Sequence, residues 1–217
     1  MRGIVMKTRM KSEARRAAIV RSAIHLFAEK GFRGTTTREL AAAAGITEPV
    51  LYQHFRAKSD LYSAIIEAKA AEVSGNAVAL DMLAKADDDR AFFQALGVLM
   101  LRRYQEDPEL SRLLFFSSLE RHELAELFFE RLYSGFYKRV SGYIRRRVRQ
   151  GAFRKVDAEV AARGLIGMVS YHGLVTLLFP GRFSIANPRR IAEQMVDVFL
   201  DGIALPSGGT KAARSAR

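Results

Sequence analysis

The chain has 217 residues, no cysteine and a formal net charge of +12. This length accommodates one domain, or a small domain joined to a larger one, with a sizeable apolar core. The lack of cysteine excludes a disulfide framework and a thiolate metal site, and it agrees with a reducing cytoplasm.

Positive charge is concentrated near the N-terminus. Residues 1–65 contain 12 Lys and Arg against 5 Asp and Glu, a net +7, whereas the other 152 residues contain 23 against 18, a net +5. A dense basic surface displaces counterions from a polyanion and therefore favours binding to one. By itself, this charge is equally consistent with DNA, RNA or an anionic membrane.

The N-terminal segment divides into an arm and a helix. Residues 1–11 carry four cations with little apolar periodicity, which predicts a basic flexible arm that either touches DNA phosphates or has no partner. They lack the apolar run and cleavage site of a secretory signal. From about Ser12 to Lys30, apolar residues at helical spacing predict a first helix, which Gly31 ends.

Residues 36–58 predict two short helices around a tight turn. Thr36 or Thr37 caps the first helix, and Gly45 supplies the positive φ that ends it. Thr47 caps the second helix. A helix-turn-helix places its second helix in the DNA major groove. The motif therefore indicates DNA, rather than RNA or an anionic membrane, as the polyanion that this protein binds.

Residues 15–62 resemble the DNA-binding domain of the TetR family of bacterial transcriptional regulators. The matching residues are Phe27, Gly31, Thr36, Thr37, Leu40, Ala41, Gly45, Ile46, Leu51, Tyr52, His54, Phe55, Lys58 and Leu61. The resemblance implies a dimeric, all-helical protein that a small ligand usually releases from DNA.

The resemblance also implies which residues touch DNA. Base contacts are implied for Arg38, Thr47, Glu48, Pro49 and Gln53. Phosphate contacts are implied for Thr36, Thr37, Tyr52, His54 and Lys58. Family members often carry a small residue or glycine at the positions of Pro49 and Val50, so the bases that are read stay open. Phe55 fits a core position better than a contact, Tyr52 fits both equally, and His54 is also consistent with an ordinary surface residue.

The remaining sequence predicts a larger helical domain over residues 59–205. A connecting helix over residues 59–83 leads into it, and a long helix from about His122 to Gln150 ends in clustered arginines. This cluster is more consistent with a solvated helix end than with a second nucleic-acid site. Residues 206–217 lack a core pattern and predict a disordered basic tail.

Two further helices, at about residues 157–178 and 188–205, close this domain. The resemblance implies that they pack against their copy, so that residues 157–205 form a four-helix dimer interface. The longest apolar stretch, Gly164 to Phe179, is too short and too mixed to span a bilayer, and we expect no membrane partner.

Aromatic and methionine residues gather in the central helices, where they suit either a packed core or an apolar small-molecule pocket. The candidate pocket residues are Phe93, Met100, Tyr104, Phe115, Phe128, Tyr137, Met168, Tyr171 and His172. The four with polar side-chain atoms, Tyr104, Tyr137, Tyr171 and His172, are the candidates for polar ligand contacts. The expected effector is largely apolar.

Signatures of catalysis are missing from the sequence. It contains neither a Gly-x-x-x-x-Gly-Lys phosphate loop nor a Gly-x-Gly-x-x-Gly turn, and its four histidines are far apart. We therefore expect no catalytic residue, no metal site and no cofactor.

Together these patterns predict an all-α fold, in which a three-helix DNA-binding domain over residues 12–58 precedes a larger ligand-binding and dimerisation domain. The predicted function is that of a cytoplasmic, homodimeric, ligand-responsive repressor that binds a palindromic operator. Two alternatives stay open: a non-specific architectural DNA-binding protein, and an enzyme or ligand carrier that retains the scaffold. Sequence does not distinguish a repressor from an activator.

Overall fold

The computed structural model describes residues 2–74, 77–119 and 123–203, and these ranges are predominantly helical. The helices are α1 Arg2–Lys30, α2 Thr37–Ala43, α3 Glu48–His54, α4 Lys58–Ser74, α5 Ala77–Lys85, α6 Asp89–Glu106, α7 Pro108–Leu119, α8 Glu123–Phe128, a π-helical segment Phe129–Ser134, α9 Gly135–Arg149, α10 Ala158–Leu178 and α11 Pro188–Ile203. The expected all-α fold is confirmed.

The chain divides into two compact units. The first combines Met1–Ala79 with Arg103–Gly135, and the second combines Leu80–Arg102 with Phe136–Arg217. The first unit therefore holds the predicted helix-turn-helix together with α7 and α8, which the sequence pattern had placed in the larger domain.

Aromatic rings organise the core of the first unit. The rings of Phe27 and Tyr62 meet edge to face with centroids 5.1 Å apart, and the Phe32 ring lies 5.8 and 5.5 Å from them. The Tyr62 hydroxyl donates a hydrogen bond to the Leu113 carbonyl oxygen at 3.3 Å. Because Phe27 lies in α1, Tyr62 in α4 and Leu113 in α7, these contacts join three helices into the base that supports α2 and α3.

A second group of rings forms the core of the second unit. Phe92 stacks on Tyr143 with centroids 4.0 Å apart, and Phe93 meets Phe199 edge to face at 5.2 Å. Nearby, α6 and α11 approach closely, since a Cβ added to Gly97 would lie 3.0 Å from the Ala192 Cβ.

Helix boundaries differ from expectation at two places. Helix α1 begins at Arg2 rather than near Ser12, so residues 2–11 continue the helix instead of forming a separate arm. The predicted connecting helix is divided between α4, which ends at Ser74, and α5, which begins at Ala77. The predicted tail, residues 206–217, lies outside the described residues.

The arginines at the end of α9 are paired rather than solvated. Arg147 donates to both carboxylate oxygens of Asp89, at 2.7 and 2.9 Å. Arg146 donates to Asp87 at 2.6 Å and also to the Ala84 carbonyl oxygen. The expectation of a solvated helix end is therefore wrong for these two residues, because the turn before α6 brings carboxylates within reach.

Helix α10 meets the length and composition criteria for a membrane span, with a mean hydropathy of 1.2. The helix that meets them, Ala158–Leu178, is longer than the stretch Gly164 to Phe179 on which the expectation rested. A core helix of a soluble protein meets them as well. Leu165, Val169 and four other residues of α10 are buried in the unit, whereas most of the helix is not.

Candidate nucleic-acid interface

Helix α2 begins with a capping box. The Thr36 hydroxyl oxygen accepts a hydrogen bond from the Glu39 backbone N–H at 3.2 Å. In return, the Glu39 carboxylate accepts from the Thr36 backbone N–H at 2.9 Å and from its hydroxyl at 2.8 Å. Thr36, one of the two predicted candidates, is therefore the cap.

Glu39 also ties this cap to the end of α1. Its other carboxylate oxygen accepts a hydrogen bond from the Lys30 ammonium at 2.7 Å. The Lys30 hydrogen bond, followed by the bonds from Thr36, lowers the pKa of Glu39 to about 2. Glu39 is not among the predicted site residues, although the Thr-x-x-Glu spacing of a capping box is a sequence signal that points to it.

The turn between α2 and α3 has the geometry that the sequence predicts. Gly45 has a φ of 65°, and its backbone N–H donates to the Ala42 carbonyl at 3.0 Å. The Ile46 N–H donates to the Ala41 carbonyl at 2.9 Å. This pair of bonds is a Schellman motif, which closes the C-terminus of α2 and starts α3 two residues later.

The two faces of α3 are chemically distinct. Leu51 is buried in the core together with Phe55, which follows the last residue of the helix, and Phe55 is therefore a core residue, 3% exposed. The opposite face is open, and Tyr52 on it is 48% exposed. Of the five predicted base-contact residues, Glu48 is half-buried and four are exposed: Arg38, Thr47, Pro49 and Gln53. His54 is half-buried.

Thr47 and Glu48 differ in how their side chains are used. Thr47 occupies the N-cap position of α3, yet its side chain makes no capping hydrogen bond within the described chain. The Thr37 hydroxyl donates to a Glu48 carboxylate oxygen at 2.7 Å, which links the first turns of α2 and α3. The hydroxyl protons of Thr36 and Thr37, both predicted phosphate donors, thus point to carboxylates in this structure.

Lys58, the remaining predicted phosphate contact, is also engaged within the chain. Its ammonium donates to the Phe32 carbonyl oxygen at 2.6 Å and to the Thr35 carbonyl oxygen at 2.7 Å. The same ammonium lies 4.2 Å from the centroid of the Phe32 ring. A second cation, Arg16 of α1, lies 4.6 Å from the centroid of the Phe55 ring, a contact that no sequence pattern indicated.

The predicted pocket residues fall into both units. Tyr104, Phe115 and Phe128 belong to the first, and Phe93, Met100, Tyr137, Met168, Tyr171 and His172 belong to the second. Within the second unit, Phe93 is fully buried among other rings, Tyr171 is exposed, and the Tyr137 hydroxyl donates to the Glu159 carbonyl at 2.6 Å. The His172 Nε2 atom is buried and has no hydrogen-bond partner among the described residues.

Potential metal ligands do not cluster. Among the residues that the structure describes, no group of three or more His, Asp or Glu side chains is arranged to hold a metal ion.

Two family models match the chain. The model described as bacterial regulatory proteins of the tetR family matches residues 19–65, and the model described as the C-terminal domain of AefR-like transcriptional repressors matches residues 93–202. The HTH-type transcriptional repressor KstR2 of Rhodococcus jostii is 29% identical over 196 residues, which cover 88% of this chain and 92% of that protein.

Solved structures share the fold. A TetR-family transcriptional regulator from Mesorhizobium loti superposes with a TM-score of 0.69 at 22% identity, over 89% of this chain and 98% of that one. AibR, solved in complex with isovaleryl coenzyme A and operator DNA, superposes with a TM-score of 0.67 at 21% identity, over 85% and 97%. With both family models matched in order along one chain, this protein belongs to the TetR family of bacterial regulatory proteins and is a helix-turn-helix transcriptional regulator.

Proposed function

We propose that the protein is a homodimeric, ligand-responsive repressor that reads a palindromic operator with the outer face of α3. The observation that carries this proposal is the division of α3 into a core face and an open polar face. Gln53 and Thr47 on the open face are exposed, and the Thr47 hydroxyl is not used as a cap. A polar, exposed recognition helix on a rigid base is what major-groove readout requires.

The proposed base contacts come from Arg38, Thr47, Glu48, Pro49 and Gln53. Arg38 pairs best with guanine, and Gln53 with adenine, because their paired hydrogen-bonding groups match the major-groove edges of those bases. Exposed Tyr52 and half-buried His54 are proposed to donate to phosphates, which fixes register without reading sequence. Thr36 and Thr37 lie at the same end of α2 and complete the proposed phosphate set, in which their hydroxyl protons rotate from the Glu39 and Glu48 carboxylates to phosphate when DNA binds.

An exposed apolar face on α10 and α11 supports the homodimer. Tyr171 on α10 is 67% exposed and Val198 on α11 is 66% exposed. Gly164 and Gly167 lie on the same side of α10 as Tyr171. Apart from the adjacent residues and the backbone of α10 itself, no described atom lies within 4 Å of a Cβ added to either. Glycine in a helix lowers helix stability by about 1 kcal/mol relative to alanine. Close packing of α10 against a second copy of the chain would explain why glycine stands at both positions.

The effector is proposed to be a small, largely apolar molecule bound within the second unit, which holds six of the candidate pocket residues. The buried His172 Nε2, which finds no partner among the described residues, would serve as a polar contact. AibR was solved with isovaleryl coenzyme A, so acyl thioesters are suitable first compounds for screening. An effector changes DNA affinity only to the extent that it binds the two conformations of the protein differently.

Selection of binding sites from random duplex oligonucleotides tests the DNA-binding part of the proposal. We expect a palindrome whose half-sites are about 34 Å apart, one helical turn, or a multiple of that distance. The selected site should outcompete random DNA at fixed salt by at least about 10³-fold. Equal affinity for both would favour the architectural alternative, and no binding to either would favour the scaffold alternative.

Substitution of Gln53 connects this assay to α3. Gln53→Ala should relax base preference at one position per half-site, at a cost of about 1 to 3 kcal/mol for the preferred base. Gln105→Ala, which removes an exposed glutamine from α6, is the matched control and should leave the selected sequence unchanged. An unaltered preference in Gln53→Ala would contradict the assigned role.

Sedimentation equilibrium tests the proposed dimer. We expect the wild-type protein to sediment as a dimer and Tyr171→Glu to sediment as a monomer, because the substitution buries a charge in the interface. Met82→Glu, at a residue of α5 that is 69% exposed, is the matched control and should remain dimeric. Equal masses for the two variants would refute the assignment of the interface to α10 and α11.

A further inference from the structure

The lysine that begins α4 makes its contacts inside the protein. The Lys58 ammonium donates to the carbonyl oxygens of Phe32 and Thr35, at 2.6 and 2.7 Å, and lies 4.2 Å from the Phe32 ring centroid. An ammonium group has three N–H donors, so two of the three are used by these carbonyls. Charge-assisted bonds of this length are among the stronger ones in proteins.

The two carbonyls belong to the loop that joins α1 to α2. This loop begins at Gly31, whose φ is 73°, and runs through Thr35, which is buried. The Thr35 hydroxyl donates to the Gly31 carbonyl at 2.7 Å, and the Phe32 ring packs on Phe27 and Tyr62. The loop is therefore tightly folded, and its Phe32 and Thr35 carbonyl oxygens converge on one point, where a cation offsets their mutual repulsion.

We infer that Lys58 is a positioning residue for DNA binding, which holds the α1–α2 loop and the start of α2, rather than a phosphate anchor. The inference rests on the proposed DNA-binding function. Any movement of the ammonium toward a phosphate that breaks these bonds would leave two partly buried carbonyl oxygens without a donor, which is unfavourable. The internal bonds thus hold the ammonium in place.

The position of α2 in turn affects α3. Thr36, the cap of α2, directly follows Thr35, and Thr37 donates to Glu48 in the first turn of α3 at 2.7 Å. Loss of the Lys58 contacts therefore loosens the loop, the cap and the link to the recognition helix together. Affinity should fall for all DNA sequences alike, because the helix is less well oriented before binding.

Salt dependence separates positioning from phosphate contact. The logarithm of the binding constant falls linearly with log[salt], and removing one phosphate contact makes this slope shallower by about 0.9. We expect Lys58→Met to weaken operator binding about tenfold at every salt concentration, with a slope like that of Arg56→Met. Arg56 is an exposed cation two residues earlier and controls for the loss of one charge. If the slope of Lys58→Met is shallower than that of Arg56→Met by about 0.9, the inference is overturned.

Hydrogen exchange in the absence of DNA tests the same residue independently of the proposed function. In Lys58→Met, amides of residues 32–40 should exchange about tenfold faster than in the wild type or in Arg56→Met. In Lys58→Gln, which retains a donor for one carbonyl, the exchange rates should lie between those of the wild type and those of Lys58→Met. This variant replaces Lys58→Met in the experiment if Lys58→Met does not fold. Unchanged exchange in both Lys58 variants would refute the positioning role. A wild-type protein that binds no DNA would instead reject the proposed function, whatever the exchange result.

Discussion

Asp89 begins α6 and accepts three hydrogen bonds from α9. Arg147 donates to its two carboxylate oxygens at 2.7 and 2.9 Å, and the Tyr143 hydroxyl donates to one of them at 2.6 Å. The Asp89 and Arg147 side chains are 21% and 15% exposed. We predict that Asp89→Ala strongly destabilises the protein, because it removes the carboxylate that accepts two hydrogen bonds from a largely buried guanidinium. Gln150 at 2.9 Å and Asp87 at 3.5 Å remain as weaker partners of Arg147.

The magnitude follows from the burial of the pair. Removing one partner of a fully buried ion pair costs about 3 to 5 kcal/mol, whereas exposed pairs contribute about 0 to 1 kcal/mol. An exposure of about one fifth places Asp89 near the lower end of the buried range, at about 3 kcal/mol. The neighbouring Asp88 is exposed and accepts a hydrogen bond from the Ala91 N–H at 2.9 Å, so Asp88→Ala should cost about 1 kcal/mol, the value of a helix cap.

Urea unfolding at fixed protein concentration measures both variants. Urea is preferable to guanidinium chloride because an ionic denaturant screens the charges under test. Fixed concentration matters because the proposed dimerisation would contribute to apparent stability. The double variant Asp89→Ala with Arg147→Ala should recover at least about 1 kcal/mol relative to the sum of the single changes. The reasoning is refuted if Asp89→Ala costs no more than Asp88→Ala, or if the two changes are additive.

Two further predictions concern the cap of α2 and the contact between α6 and α11. The folded-state pKa of Glu39 is about 2, below its ordinary 4.5, so its stabilising contribution is present above pH 4.5 and is lost as the pH falls toward 2. The stability difference between the wild type and Glu39→Gln, measured by urea unfolding, should therefore shrink across this range, and a constant difference would contradict the assignment. Gly97→Ala should lower stability by about 1 to 2 kcal/mol, because its Cβ would lie 3.0 Å from the Ala192 Cβ. Gly142→Ala in α9 should instead stabilise by up to about 1 kcal/mol, since no described atom outside the adjacent residues and the backbone of α9 lies within 4 Å of its added Cβ. Equal thermal unfolding curves for the two glycine variants would refute the crowding argument.

The local features of the DNA-binding motif were predictable from the sequence. Thr36 caps α2, Gly45 adopts the positive φ that ends it, and Phe55 lies in the core, as the residue types and spacings indicate. Each of these features depends on hydrogen bonds within a few residues or on the periodicity of one helix. Tyr52, for which core and surface were equally compatible with the sequence, is resolved by its exposure.

The roles of several charged residues were not predictable in this way. Lys58 bonds to carbonyls 26 and 23 residues earlier, and Arg147 bonds to Asp89 across 58 residues. A basic residue at a helix end looks the same in the sequence whether it faces solvent, phosphate or another part of the chain. The pocket prediction met a similar limit, since helical periodicity does not tell a packed ring such as Phe93 from one that lines a cavity.

Sequence alone thus determined the helix-turn-helix, the cap and the closing turn of α2, and the family to which their spacing points, because these properties arise from interactions between near neighbours in the chain. The tertiary structure decided which cations are held inside and which apolar residues of α10 and α11 stay exposed. Those outcomes depend on where distant segments converge, and the energy of an ion pair or an apolar contact is set by the burial that this convergence creates.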